Sequence, residues 1–308
     1  MRNKVFVVVA ALVASGTFLP EVRADFTALA IGDTGKGNKE QTEVGEALAK
    51  DCAKENCKFA ILLGDNIYDV GITSPTDPQM IDKFEKPYAN MTVPFYVALG
   101  NHDYGKLAND WARGDNQIEY SRRNPSFILP SHYYSFEHDD ALFLVLDTSR
   151  LFHDKDTAEQ VKFIRDTLAA NRSSAIPKKW IVAVSHHPFL SNGPHGNAGR
   201  YDGVPLPPFS GSVIKEVIEK EICPHAQLVI SGHDHSLQTL PAKAPCEKTL
   251  FVVSGGGAST TKLKGSNPSH FQKSMLGFTR LHFNRDRVRI SHVGKDGQVE
   301  HQYDHPVR

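Results

Sequence analysis

Five times along this chain a short apolar run ends in a polar junction that carries Asp, Asn or His. The junctions are Gly32-Asp33, Gly64-Asp65, Gly100-Asn101-His102, Ser185-His186-His187 and Ser231-Gly232-His233-Asp234-His235. The runs before them are Thr27–Ile31, Phe59–Leu63, Phe95–Leu99, Ile181–Val184 and Leu228–Ile230, and similar runs occur at Ala141–Leu146 and Leu250–Val253. Apolar runs of this length, with little alternation, suit strands buried on both faces. Helix-period segments at Glu40–Ala49, Asp156–Asn171 and Ser212–Ile222 fall between them, so the alternation predicts an α/β fold. Towards the C-terminus, Phe278–Phe283 and Val288–Val293 alternate as strands of a sheet with one solvated face. In open α/β sheets ligands bind beyond the carboxyl ends of strands. Five strand ends bearing such residues therefore predict one site where several loops converge.

The rest of the composition narrows the function classes. Lys and Arg number 35 and Asp and Glu 35, a formal net charge of zero, and no basic stripe stands out. That argues against a nucleic-acid partner held by counterion release. Arg2 and Lys4 precede the apolar stretch Val5–Ala14, and Val22-Arg23-Ala24 offers small residues of the kind a signal peptidase reads. Residues 1–24 are expected to be a signal peptide and 25–308 a single domain. The apolar stretch falls short of the roughly 20 residues a membrane-spanning helix needs. The mature chain is expected to be secreted or periplasmic, off the membrane and monomeric. Four cysteines fit an oxidising compartment. Proximity favours Cys52–Cys57 and Cys223–Cys246 among three pairings, and neither spacing makes the short knuckle of a zinc site. Asn90-Met91-Thr92 and Asn171-Arg172-Ser173 would accept N-glycans in a eukaryotic secretory pathway.

Taken as chemistry, the junctions supply carboxylates, an amide oxygen and imidazoles, with Tyr68 three residues beyond Asp65. Oxygen and nitrogen donors without thiolate suit iron, manganese or zinc. The set is too large for one tetrahedral ion, so two metals sharing a bridge are the economical reading. The glycines beside these residues, Gly64 and Gly100 among them, allow close backbone approach where loops meet.

The blocks Gly32-Asp33-Thr34-Gly35, Gly64-Asp65-Asn66-Ile67-Tyr68, Gly100-Asn101-His102-Asp103, Val184-Ser185-His186 and Gly232-His233-Asp234-His235 resemble, in order, the five motifs of purple acid phosphatases. Further similarity runs through Pro130–Tyr134 and Gly193–Gly196, and it points to the small, tartrate-resistant branch. The resemblance implies a metallophosphoesterase sandwich of two mixed β-sheets flanked by helices. It also implies that Asp33, Tyr68 and His235 hold Fe(III), and that Asp65 bridges. Asn101, His186 and His233 would hold a second, divalent metal (Fe, Zn or Mn), with His102 and His195 as catalytic residues lining the pocket. Other metallophosphoesterases usually begin Asp-x-His, whereas here the third position is Gly35, which has no side chain to ligate. A Tyr68 phenolate would fill that place, favour Fe(III) and colour the protein.

His187, beside His186, reads as a support behind the ligands or a packing residue, and His132, His138, His153 and His225 read as surface or packing residues. Asp103 and Asp234 read as acceptors that fix imidazole tautomers. The Ser254-Gly255-Gly256-Gly257 stretch lacks both a nucleophile elbow and a P-loop lysine, and reads as a tight turn beside the site. The expected reaction is hydrolysis of small phosphate monoesters in acid by a hydroxide on the metals, with His102 or His195 protonating the leaving group. A phosphodiesterase or nucleotide hydrolase on the same fold, and a redox-active iron protein with little turnover, are the alternatives.

Overall fold

The computed structural model describes residues 25–207 and 209–307, so the signal-peptide reading of residues 1–24 lies outside it. Two seven-stranded sheets face each other. The first comprises β1 (Phe26–Ile31), β2 (Phe59–Leu63), β3 (Phe95–Ala98), β4 (Phe127–Ile128), β12 (Gly277–Phe283), β13 (Arg287–Gly294) and β14 (Val299–Pro306), in the order β14-β13-β12-β1-β2-β3-β4. The second comprises β5 (Tyr134–His138), β6 (Ala141–Val145), β7 (Trp180–Val184), β8 (Leu228–Ser231), β9 (Leu237–Leu240), β10 (Leu250–Ser254) and β11 (Phe271–Lys273), in the order β11-β9-β10-β8-β7-β6-β5. Each sheet is mixed: β1 to β4 run parallel, as do β6, β7, β8 and β10, while the flanking strands are antiparallel.

The uninterrupted apolar runs are explained by burial on both faces. In β7, Trp180, Val182 and Val184 point into the core between the sheets, while Ala183 joins a second core under the helices. The same period-two division holds in β8 and β10, where Leu228, Ile230, Leu250 and Val252 face inward and Val229, Phe251 and Val253 face the helices. Those helices are α3 (Thr148–Phe152), α4 (Thr157–Ser173) and α5 (Ser212–Val217, continued by a π-turn to Ile222), which contribute Leu151, Ile164, Leu168, Ile214 and Ile218. Phe59 meets Phe143 edge-on across the sandwich, with ring centroids 5.4 Å apart.

On the first sheet, α1 (Lys39–Glu55) begins at Asn38, whose side chain caps the Gln41 N–H, and Arg280 of β12 pairs with Asp51 of α1 at 2.7 Å. The disulfides are Cys52–Cys57 and Cys223–Cys246, as proximity favoured. Among the described residues no helix is long and apolar enough to cross a membrane. One helix went unread in the sequence. Helix α2 (Trp111–Ser121) has few apolar positions and carries Gly114, because the Tyr104 ring lies against that backbone. Helix α3 is a single short turn whose Asp147 side chain caps the Arg150 N–H.

His292 on β13 is fully buried between the Thr239 and Thr279 hydroxyls, and burial, followed by the nearby His301, pushes it down to about 3. The unfolded chain therefore binds a proton at His292 between about pH 6.5 and pH 3 that the folded chain refuses, so acid costs stability. From pH 7 to pH 5 this amounts to about 2 kcal/mol. Denaturant unfolding of the wild type and of His292→Gln at the two pH values should show that much less acid destabilisation in the variant. An unchanged difference would mean His292 is not the group refusing the proton.

Candidate metal centre

The carboxyl ends of β1, β2, β3, β7 and β8 lie at one end of the sandwich, and the junctions that follow them are tied together by backbone bonds. Asp33 N–H donates to the Gly64 carbonyl at 3.0 Å and Ser185 N–H to Ile230 at 3.0 Å. Gly232 N–H donates to His186 at 3.1 Å. The two sheets meet where Gly32 N–H reaches the Ser254 carbonyl at 2.7 Å and His186 Nδ1 donates to the Leu63 carbonyl at 2.8 Å. Turning the chain this sharply puts Asp33, Asp65 and His233 at φ of 59°, 54° and 70°, a left-handed region that non-glycine residues rarely occupy. At Gly100 a Cβ would overlap the Asp65 carboxylate, so only glycine lets the third junction close over the second.

The sequence-predicted residues fall into two groups on either side of Asp65. In one, the Tyr68 hydroxyl lies 3.0 Å from Asp33 Oδ1, 2.9 Å from Asp65 Oδ2 and 3.0 Å from His235 Nε2. In the other, His186 Nε2 lies 2.9 Å from Asn101 Oδ1, 3.4 Å from Asp65 Oδ1 and 3.1 Å from His233 Nδ1. The two oxygens of one carboxylate thus face two separate donor sets. His102 packs its ring on Tyr68 at 4.4 Å, beside the first set, and His195 packs on His233 at 4.2 Å, beside the second.

Whether these residues fit cations can be tested on their lone pairs. A phenol has one proton, and it cannot satisfy both carboxylate oxygens beside it, Asp33 Oδ1 and Asp65 Oδ2. His186 spends its Nδ1 proton on the Leu63 carbonyl, so Nε2 turns a lone pair towards Asn101 and His233. Asp33 and Asp65 are 0% and 2% exposed, and among the described residues neither pairs with Lys or Arg. Buried charge of this kind needs a compensating partner. With protons alone to supply positive charge, burial lowers His186 but Asp65 outweighs it and lifts the imidazole to about 9. Burial, then Asp33 and Asp65, hold the Tyr68 proton on well above the ordinary phenol range. Converging acceptors, buried anions and imidazoles oriented by Leu63 and Ser259 suit a pair of metal ions.

Gly35 and Tyr68 are linked by packing. A Cβ at Gly35 would run into the Asn66 carbonyl, and the Gly35 carbonyl accepts from Tyr68 N–H at 2.8 Å. No side chain fits at position 35, because the loop carrying Tyr68 presses on it.

Asp103 and Asp234 behave differently from the sequence expectation. Neither touches an imidazole nitrogen. Asp103 accepts from the N–H groups of Asn66, Ile67 and Gly100 and from Gln117, which fastens the second junction to the third. Asp234 accepts from the Ser191 hydroxyl and from His195 N–H, which fixes the His195 loop. His187 is buried, bonded to the Thr148 hydroxyl and set between Phe152 and His233, so it packs behind the site. Gly255 backs onto Asp33, which places the glycine stretch beside the site. Gln117, Thr148 and Ser259, each supporting the centre, gave no sequence signal, since they join it only through tertiary contact.

With this geometry in view, the relatives are informative. Residues 26–237 match the calcineurin-like phosphoesterase family. Purple acid phosphatase 3 of Arabidopsis thaliana is 27% identical over 89% of this chain and 76% of its own length. Tartrate-resistant acid phosphatase type 5 of Sus scrofa is 26% identical over 77% of this chain and 68% of its own. Among solved structures, GAP50, described as the anchor in the inner membrane complex of Plasmodium, superposes with a TM-score of 0.74 at 19% identity, covering 92% and 89% of the two chains. The purple acid phosphatase PPD1 from yellow lupin (Lupinus luteus) seeds gives 0.65 at 20% identity over 91% of this chain and 53% of its own. These structures share the two-sheet fold, and the family match spans most of the strands that build the site. The chain belongs to the calcineurin-like phosphoesterase family, as its resemblance to the purple acid phosphatases implied.

Proposed function

We propose that the chain is an exported acid phosphatase, one domain over residues 25–308 behind a signal peptide, that hydrolyses phosphate monoesters at a dinuclear Fe(III)–M(II) centre. The observation that carries this reading is Asp65, whose two oxygens face two donor sets. Asp33, Tyr68 and His235 would hold Fe(III), Asn101, His186 and His233 a divalent Fe, Zn or Mn, and Asp65 both. When bound there, two cations would supply positive charge for phosphate oxygens and would lower the pKa of bound water. Two disulfides fit export.

The chain's own residues do the rest. His102 N–H donates to Asp65 Oδ1 at 2.8 Å, and its Nδ1 donates to the Asp69 carbonyl at 2.6 Å. The ring is held over Tyr68, and among the described residues its Nε2 forms no hydrogen bond. His195 has Nδ1 paired with Asp202 at 2.8 Å, which leaves Nε2 to pass a proton to a leaving alkoxide. Ser191 and Asp234 keep its loop in place.

Metal analysis of Asp65→Ala should find both metals lost, and retention of both would overturn the bridging role. The wild type should absorb in the visible, and Tyr68→Phe should bleach it; a colourless, zinc-only wild type would remove the tyrosinate–Fe(III) assignment. On an aryl phosphate, an alkyl phosphate and a phosphodiester across pH, the wild type should prefer the monoesters in acid. His195→Ala should lower turnover about 10²- to 10⁴-fold on the alkyl ester and far less on the aryl one. Equal losses would argue against proton donation, and a diester preference would favour a phosphodiesterase.

A further inference from the structure

A cavity of about 560 Å³ lies against the loop that carries His195, and four cations line it: Arg200, Lys215, Lys243 and Lys264. Its lining includes one acid, Glu219, which already lies 3.7 Å from Lys215. Among the described residues Arg200, Lys243 and Lys264 form no ion pair. This surplus stands out in a chain whose formal charge is zero.

The cations come from four separate segments, each fixed through its backbone. Lys243 sits in a turn where its carbonyl accepts from Cys246 N–H at 2.7 Å, and Cys246 is tied by its disulfide to Cys223. The N–H groups of Lys264 and Gly265 both donate to the Asn192 carbonyl, at 2.7 and 2.9 Å. Arg200 N–H donates to Asn197, and Lys215 lies in α5, whose first turn is bonded to Gly211. Like charges converge here because the fold holds them, and a concave wall of one sign concentrates anions.

The cavity and the metal centre share a wall. His195 lines the cavity, while its ring packs 4.2 Å from His233 and its N–H is held by Asp234. A ligand with one phosphate at the centre and a second anionic group past His195 would meet both. We propose that this cavity binds a second phosphate, so that the preferred substrates are small molecules carrying two phosphate groups. The inference rests on the phosphatase reading above.

The test uses the metal-loaded protein and the variant Lys243→Met/Lys264→Met, neither residue belonging to the centre. Steady-state rates are measured on fructose 1,6-bisphosphate and on 4-nitrophenyl phosphate, with calorimetric titration of the bisphosphate alongside. Two lost charge-assisted contacts should lower kcat/KM for the bisphosphate about 10- to 100-fold through KM, and leave 4-nitrophenyl phosphate nearly unchanged. An equal change on both substrates, or none, would overturn the second site. If neither protein turns over either substrate, the phosphatase reading fails and the titration decides alone. Weaker bisphosphate binding by the variant then sustains the cavity, and equal binding removes it.

Discussion

Two carboxylates, Asp33 and Asp65, are buried between strand ends, paired with no Lys or Arg among the described residues, and the surrounding structure answers that charge. Uncompensated burial of one carboxylate costs several kcal/mol. The chain meets it by converging imidazoles, an amide oxygen and a phenol on the same space, a set with more lone pairs than protons. Holding that set together requires left-handed backbone at three of its members and a glycine where Gly100 closes over Asp65. The sandwich supplies the rigidity, since the strands that end at the site have both faces packed.

The same economy explains Gly35 and Tyr68. The 65–68 loop lies so close to position 35 that no side chain fits there, and the approach that excludes a histidine delivers the tyrosine. The two departures from the commoner Asp-x-His pattern are thus one packing event. Asp103 serves this arrangement by holding the N–H groups of Asn66, Ile67 and Gly100 from beneath, and burial, then Asp65, lift it to about 6. Its task is to position loops, so its influence on the centre passes through backbone geometry.

Beyond the centre, the His195 loop separates two unlike environments. On one side stand His233 and the buried acids; on the other stand four cations and a single glutamate. Asp202 and Asp234 grip the loop at the His195 ring and at its backbone. A substrate reaching past His195 would therefore pass from one charged environment to another, a layout that favours extended anions over compact ones.

The sequence by itself determined the strands and which polar side chains stand at their ends. Runs buried on both faces must be apolar throughout, as in Phe59–Leu63 and Leu228–Ile230, and the Asp, Asn and His residues that follow such runs are legible from their position alone. Where the signal is diluted the element was not legible, as in α2 with Gly114 under Tyr104. Only the tertiary structure decided which oxygen of Asp65 faces which donors, that Asp103 and Asp234 hold backbone rather than imidazoles, and that Arg200, Lys215, Lys243 and Lys264 share a cavity. The physical reason is distance along the chain. A strand or a ligand type is set by its own neighbours, whereas a hydrogen-bond partner or a charged pocket exists only once segments far apart in sequence have been packed side by side.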